Sequence, residues 1–206
     1  MNISKMARIL ITGSSDGLGQ AAARILTDQG HHVTLHARNE GRAKEAKEAI
    51  PKAENVLIAD LSSISEAKRF AEEANKLGPW DTVVHNAALG LNSDGKKTSD
   101  GINTLFAVNS LSPYILTCLM DKPTRLLYIT SGLHTGGDES LDDMAWQTDR
   151  RWNAAQAYSD SKLQNAIMAK AVSRLWPDVQ SCSMDPGWVC CTWVISLFRT
   201  LVANVV

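Results

Sequence analysis

Short apolar runs that stop at a glycine or polar residue alternate with helix-period segments along nearly the whole chain, and this constrains the fold more than any other feature. The first run, Ala7-Arg8-Ile9-Leu10-Ile11-Thr12, ends at Gly13, as a buried parallel strand does. Residues 18–29 then carry Leu18, Ala22, Ile25 and Leu26 at helical spacing and close at Gly30. Further strands are predicted at Val33–Ala37, Val56–Ala59, Thr82–His85, Leu126–Thr130 and Val179–Met184. Helices are predicted at 42–50 (halted before Pro51), 62–76, 102–119 and through Tyr158–Leu175. Such alternation requires parallel βαβ units with right-handed crossovers.

At 206 residues the chain suits one domain, expected over 1–206 with an atypical tail at 190–206. A formal net charge of −1 offers no surface for a polyanion, so nucleic acid is excluded as the expected partner. Cys118, Cys182, Cys190 and Cys191 lack metal-ligand spacing, and no metal is expected. A strand already begins at Ala7, so no signal peptide is expected, and reduced thiols in a cytoplasmic setting follow. The apolar stretch from Trp193 to Val206, broken by Arg199, is shorter than the roughly 20 residues a membrane helix needs. Residues 90–101 and 132–152, rich in Gly and Asp, are expected as surface loops.

Between the first strand and first helix stands Thr12-Gly13-Ser14-Ser15-Asp16-Gly17-Leu18-Gly19. Gly13 permits a tight turn, Gly17 lets the backbone approach a pyrophosphate, and Gly19 lets the helix lie close to the sheet. The free N–H groups and positive end of that helix would face the phosphates. This is the arrangement of a three-layer α/β/α Rossmann fold, a doubly wound parallel sheet of order 3-2-1-4-5-6. At the end of the second strand an NAD site would place an acidic residue; here Arg38 stands, whose guanidinium pairs with a 2′-phosphate. NADP(H) is therefore expected over NAD(H), with Ser14 or Ser15 adding a hydroxyl donor. Asp60-Leu61 follows the third strand, where Asp60 either meets an adenine amino group or caps the next helix.

A second constellation lies further along. Tyr158 and Lys162 are four apart and share a helix face, so a lysine ammonium can lower the pKa of a phenol used for proton exchange. Thr130 and Ser131 end the fifth strand, where such sheets bind ligands. Strand alternation lets only one of them face a substrate carbonyl, and Ser131 and Thr130 are competing candidates for it.

With the Thr12–Gly19 loop, Asn86-Ala87-Ala88, Asn109, Ser131, Tyr158/Lys162 and Pro186-Gly187 in this order, the chain resembles the short-chain dehydrogenases/reductases from about Ala7 to Val189. Ser131-Gly132-Leu133-His134 and Val108-Asn109 make it most similar to the retinol-dehydrogenase-like branch. The resemblance implies a tetrad: Tyr158 as general acid/base, Lys162 lowering its pKa and binding the nicotinamide ribose, Ser131 polarising the carbonyl, and Asn109 holding a water in a proton relay. It also implies that Asn86 and Ala87 line the cofactor and that Pro186-Gly187 borders the nicotinamide. The implied reaction is hydride transfer between nicotinamide and a small-molecule carbonyl or alcohol. Relatives usually pair through helices such as 102–119 and 158–175, which implies a homo-oligomer.

Two positions depart from the pattern. Ala88 stands where the family has glycine, and Cys191 where it has threonine, with residues 190–206 unlike the expected continuation. A missing seventh strand is therefore expected. That supports a second reading, a catalytically impaired nucleotide-binding relative with a regulatory or scaffold role, against which the intact Ser131, Tyr158 and Lys162 argue. A third, a sugar-nucleotide epimerase, needs a substrate domain for which 206 residues leave no room. Trp146, Trp152, Trp188 and Trp193 form either an apolar pocket or ordinary packing.

Overall fold

The computed structural model describes residues 6–187. Six parallel strands, β1 (Arg8–Ile11), β2 (His32–Ala37), β3 (Asn55–Ile58), β4 (Thr82–His85), β5 (Arg125–Ile129) and β6 (Gln180–Met184), form one sheet. Their order is β3-β2-β1-β4-β5-β6, as expected for the Rossmann fold. Registers are in step across the centre: Leu10 pairs with Thr34 on one side and with Val83 on the other.

The central strands are apolar on both faces, because helices cover both. Leu10, Val83, Leu126 and Tyr128 point to a layer built by α3 (Ile64–Leu77), α5 (Ser112–Leu119) and α6 (Ala154–Leu175), around Phe70, Leu116 and Val172. Their neighbours Ile9, Ile11, Val84 and Leu127 point to the opposite layer, where α1 (Gly17–Asp28) and α2 (Glu40–Ala49) contribute Ala22, Ala23, Leu26 and Ala46. The small alanines let α1 lie close to the strands.

The single helix expected over 102–119 is interrupted. A short α4 (Thr104–Phe106) runs into a π-turn at Ala107–Leu111 before α5 begins. Pro113 near the start of α5 cannot donate a backbone hydrogen bond, and π-turns of this kind mark functional regions. The other helix starts are set by caps. Asn39 accepts from the Arg42 N–H, Ser63 from the Glu66 N–H, and Asn153 from the N–H groups of Ala155 and Gln156. Residues 132–152 form a surface loop opened by a 3₁₀ turn at Gly132–Gly136. Cys190, Cys191, the tail at 190–206 and the missing seventh strand lie outside the described residues. Among the described residues no helix is long and apolar enough to cross a membrane, and no His/Cys/Asp/Glu group has a metal-binding arrangement.

Candidate active site

The carboxyl ends of the strands open into a groove of about 540 Å³. It lies where the strand order reverses, between β1 and β4, the place where open parallel sheets bind ligands. Arg38, Arg42, Asp60 and Leu61 line it on the β2–β3 side; Gly13, Ser15, Gly17, Leu18, Asn86 and Ala87 line its middle. Thr130, Tyr158, Lys162 and Pro186 line the β5–α6 side.

The Gly-rich turn is built for close backbone approach. Gly13 and Gly17 have φ of +62° and +55°. Around Gly17 nothing lies within 4 Å of where a Cβ would stand, so its backbone faces open groove. At Gly19 a Cβ would stand 2.4 Å from the Gly13 carbonyl oxygen, so only glycine lets α1 sit against the turn. An extended anion fits this cradle: exposed backbone at a helix N-terminus with Arg38 and Arg42 beyond it.

His36, which sequence reasoning passed over, holds the turn from beneath. Its Nδ1 accepts from the Gly13 N–H at 2.8 Å, and its Nε2 donates to the Ala59 carbonyl at 3.0 Å. Burial keeps the ring neutral, lowering its pKa to about 4 against the opposing pull of the Ala59 bond and Asp60. Asn86 ties the turn from the other side, donating to the carbonyls of Thr12 and Gly13 at 2.9 Å each.

Two expectations are decided at this end, and one departure from the family pattern proves harmless. The Ser14 hydroxyl donates to the Ile11 carbonyl at 2.8 Å and accepts from the His36 N–H at 2.9 Å. The tight turn thus folds it inward, and of the two serines only Ser15 lines the groove. Asp60 is not the helix cap, since Ser63 has that place; its carboxylate accepts from the Ser62 N–H at 2.9 Å and stays exposed at the groove. Ala88 has no left-handed backbone, so its methyl is accommodated without strain.

At the other end Tyr158 and Lys162 project from one face of α6, as their spacing requires. Lys162 is buried, and its Nζ donates to the Ile129 carbonyl at 3.1 Å. Burial lowers its pKa to about 8. The Tyr158 phenol is pushed up by burial, drawn down by the Ser131 hydroxyl, and pushed up again by the Asp185 carboxylate. The net shift is upward and Lys162 has no part in it, so the expected lowering by the lysine is not found in the protein alone. Between Thr130 and Ser131 the geometry separates the roles. The Thr130 hydroxyl donates to the Lys162 carbonyl at 2.8 Å and is buried, while the Ser131 hydroxyl, at the strand end, accepts from the Leu133 N–H at 3.4 Å and draws the Tyr158 pKa down.

Asn109 braces the site from within the fold. Its side chain is fully buried in the π-turn. Its oxygen accepts from the Leu89 N–H at 2.7 Å, and its amide donates to the Leu89 carbonyl at 3.0 Å and to Ser161 Oγ at 3.1 Å. With both donors engaged, the side chain fastens the loop after β4 to α6. Gly187, at φ +73°, donates its N–H to Asp185 at 2.9 Å and does not itself line the groove.

Of the four tryptophans expected to cluster, Trp146 and Trp152 lie within the described residues and pack on each other. Trp146 and Trp152 meet edge-on at 5.1 Å, with the Arg150 guanidinium 3.4 Å from the Trp146 ring centre, and neither lines the groove. Trp188 and Trp193 lie outside the described residues. The packing hinges on Asp160, buried on α6, which accepts from the Asp138 N–H and from Trp146 Nε1 at 2.9 and 3.0 Å.

Comparison with known proteins agrees with this geometry. The family model described as short chain dehydrogenase matches residues 7–122. An uncharacterized oxidoreductase of Emericella nidulans, AN7799, is 55% identical over 188 residues, covering 89% of this chain and 71% of the relative. The chain belongs to the short-chain dehydrogenase family. As a short-chain dehydrogenase it is an oxidoreductase by family, and it is also similar to human retinol dehydrogenase 13, at 31% identity over 81% of this chain and 53% of that protein. A crystal structure of a metagenomic short-chain oxidoreductase in complex with NADP shares the dehydrogenase fold, with a TM-score of 0.72 and 23% identity over 97% of this chain and 90% of that one.

Arg42, Asp16, His36 and Asp185 are the site residues that sequence reasoning missed. Arg42 lies in the first turn of α2, four residues after Arg38, which precedes the helix, and that nearness in sequence was the available signal. Nothing in the pattern marked His36, an apolar-face position of β2, or Asp185.

Proposed function

We propose that this short-chain dehydrogenase is an NADP(H)-dependent carbonyl reductase acting on a small or lipophilic ketone or aldehyde. The observation that carries the reading is that Tyr158 and Lys162 line one end of a groove whose other end holds two arginines, with Ser131 acting on the Tyr158 phenol from the strand end. When bound, the nicotinamide supplies the hydride, and everything else falls to the chain's own side chains.

Ser131 donates a hydrogen bond to the carbonyl oxygen and so stabilises the charge that grows there. Tyr158, its pKa raised, is protonated near neutral pH and delivers its proton to that oxygen. Lys162 binds the ribose hydroxyls and offers a positive charge beside the phenol, which eases departure of the proton. Asn109 acts as a positioning residue, fixing the loop after β4 against α6. Arg38 receives the 2′-phosphate, which gives the preference for NADP(H). Gly13, Gly17 and the first turn of α1 receive the pyrophosphate, with Leu18, Leu61, Asn86, Ala87 and Pro186 lining the cofactor.

Titration with NADPH and NADH, followed by nicotinamide fluorescence and thermal melting, tests the cofactor side. Saturable binding that favours NADPH, with the preference lost in Arg38→Ala, is expected. A protein that melts cooperatively and binds neither nucleotide contradicts the enzyme reading.

A further inference from the structure

We propose that Asp16 is a built-in competitor for the cofactor's 2′-phosphate: it holds Arg42 in an ion pair at the groove and sets how strongly NADP(H) is preferred. This rests on the NADP(H) reading above. Asp16 belongs to the turn between β1 and α1, Arg42 to the first turn of α2, and both line the groove with Arg38. Arg42 Nη2 pairs with the Asp16 carboxylate, and Nη1 pairs with Glu45 at 3.0 Å. Neither contact is buried, so the pair is held weakly enough to be exchanged.

Two features make Asp16 more than a passing surface partner. It occupies the N-cap position of α1, where an aspartate normally accepts from the helix's own N–H groups, yet it makes no such capping bond. Its carboxylate is given to Arg42 instead. It also keeps a carboxylate among the groove residues that a 2′-phosphate at Arg38 and Arg42 would meet. A 2′-phosphate brought to Arg38 must therefore take Arg42 from Asp16 and then sit near the released carboxylate. An adenosine without that phosphate disturbs nothing. The pair thus acts on NADP(H) alone.

The test is a double-mutant cycle on dissociation constants for NADPH and NADH, with Asp16→Asn, Arg42→Gln and the double variant, each checked for an unchanged melting curve. Asp16→Asn should tighten NADPH by about 3- to 10-fold and leave NADH within about a factor of two. Arg42→Gln should weaken NADPH by about 10-fold, and in that background Asp16→Asn should lose most of its effect. The inference is overturned if Asp16→Asn weakens NADPH or leaves it unchanged. It is equally overturned if its full gain persists without Arg42, because direct repulsion would then suffice. A wild-type protein with no preference for NADPH refutes the cofactor reading as well, whereas a preference sensitive to Arg38 but not to Asp16 refutes only the inference.

Discussion

The Lys162 ammonium stands 5.4 Å from the centre of the Tyr158 ring and spends a hydrogen bond on the Ile129 carbonyl. The two side chains share a helix face, yet the lysine is anchored to the end of β5. It is thereby fixed at the groove rather than free to follow the phenol, and its burial makes it a costly charge to keep.

That cost gives a prediction about stability. Lys162→Met replaces a buried charge with an apolar chain of similar volume, and should raise unfolding stability by about 1–3 kcal/mol. The same variant should lose carbonyl reduction. Chemical denaturation read beside turnover of NADPH checks both; a variant less stable than wild type would show that the Ile129 bond outweighs desolvation.

Asp185 should set part of the pH dependence. Burial is the larger cause of the raised Tyr158 pKa, Ser131 opposes it, and the Asp185 carboxylate adds to it. Asp185→Asn removes a negative charge and lowers the phenol's pKa. The alkaline limb of the reduction profile, where Tyr158 loses its proton, should move to lower pH. Measuring kcat/KM against pH for both proteins decides this, and an unmoved limb would exclude the carboxylate's influence.

Acid should unfold the protein partly through two histidines. His36 and His85 are held neutral by burial, with pKa values of about 4 and about 3, against about 6.5 in the unfolded chain. Below the unfolded value the unfolded state binds protons that the folded state refuses. Their contribution is complete above pH about 6.5 and is lost as pH falls, by up to about 1.4 kcal/mol per pH unit for each. His85→Phe, which removes a ring stacked on Tyr128 with its Nδ1 unpartnered, should make the decline in melting temperature shallower. An identical decline would assign the loss to other groups.

Gly19→Ala should be disruptive although it adds one methyl. The new Cβ would meet the Gly13 carbonyl oxygen at 2.4 Å and the Asn86 amide at 2.5 Å. Both neighbours are fixed, so α1 must shift, with a loss of about 1–3 kcal/mol and weaker NADPH binding. Thermal melting and titration check the two effects.

The sheet order was legible because it follows from apolar runs of strand length separated by helical periods, and the two-sided burial of β1 and β4 is why those runs lack polar residues. Gly13, Gly17 and Gly19 were legible because each is required by geometry: two by positive φ, one by close packing. The rest was not. The inward turn of Ser14 depends on His36, which lies 22 residues away and meets it only after β1 and β2 pair. The engagement of Asn109 with Leu89 and Ser161 depends on where α6 lands. Side-chain hydrogen bonds between distant segments leave no periodic mark in a sequence, so a motif names the residue without saying which of its atoms is free.

The claim at the centre of this account is that Tyr158 protonates a carbonyl while NADPH is oxidised. It is tested most directly by following NADPH consumption with a panel of aromatic and aliphatic ketones in wild type and Tyr158→Phe, once both are known to bind NADPH alike. The account predicts turnover in wild type and a loss of about 10²- to 10⁴-fold in the variant at unchanged NADPH affinity. Equal rates in the two proteins, or no turnover by a wild type that binds NADPH, would contradict it.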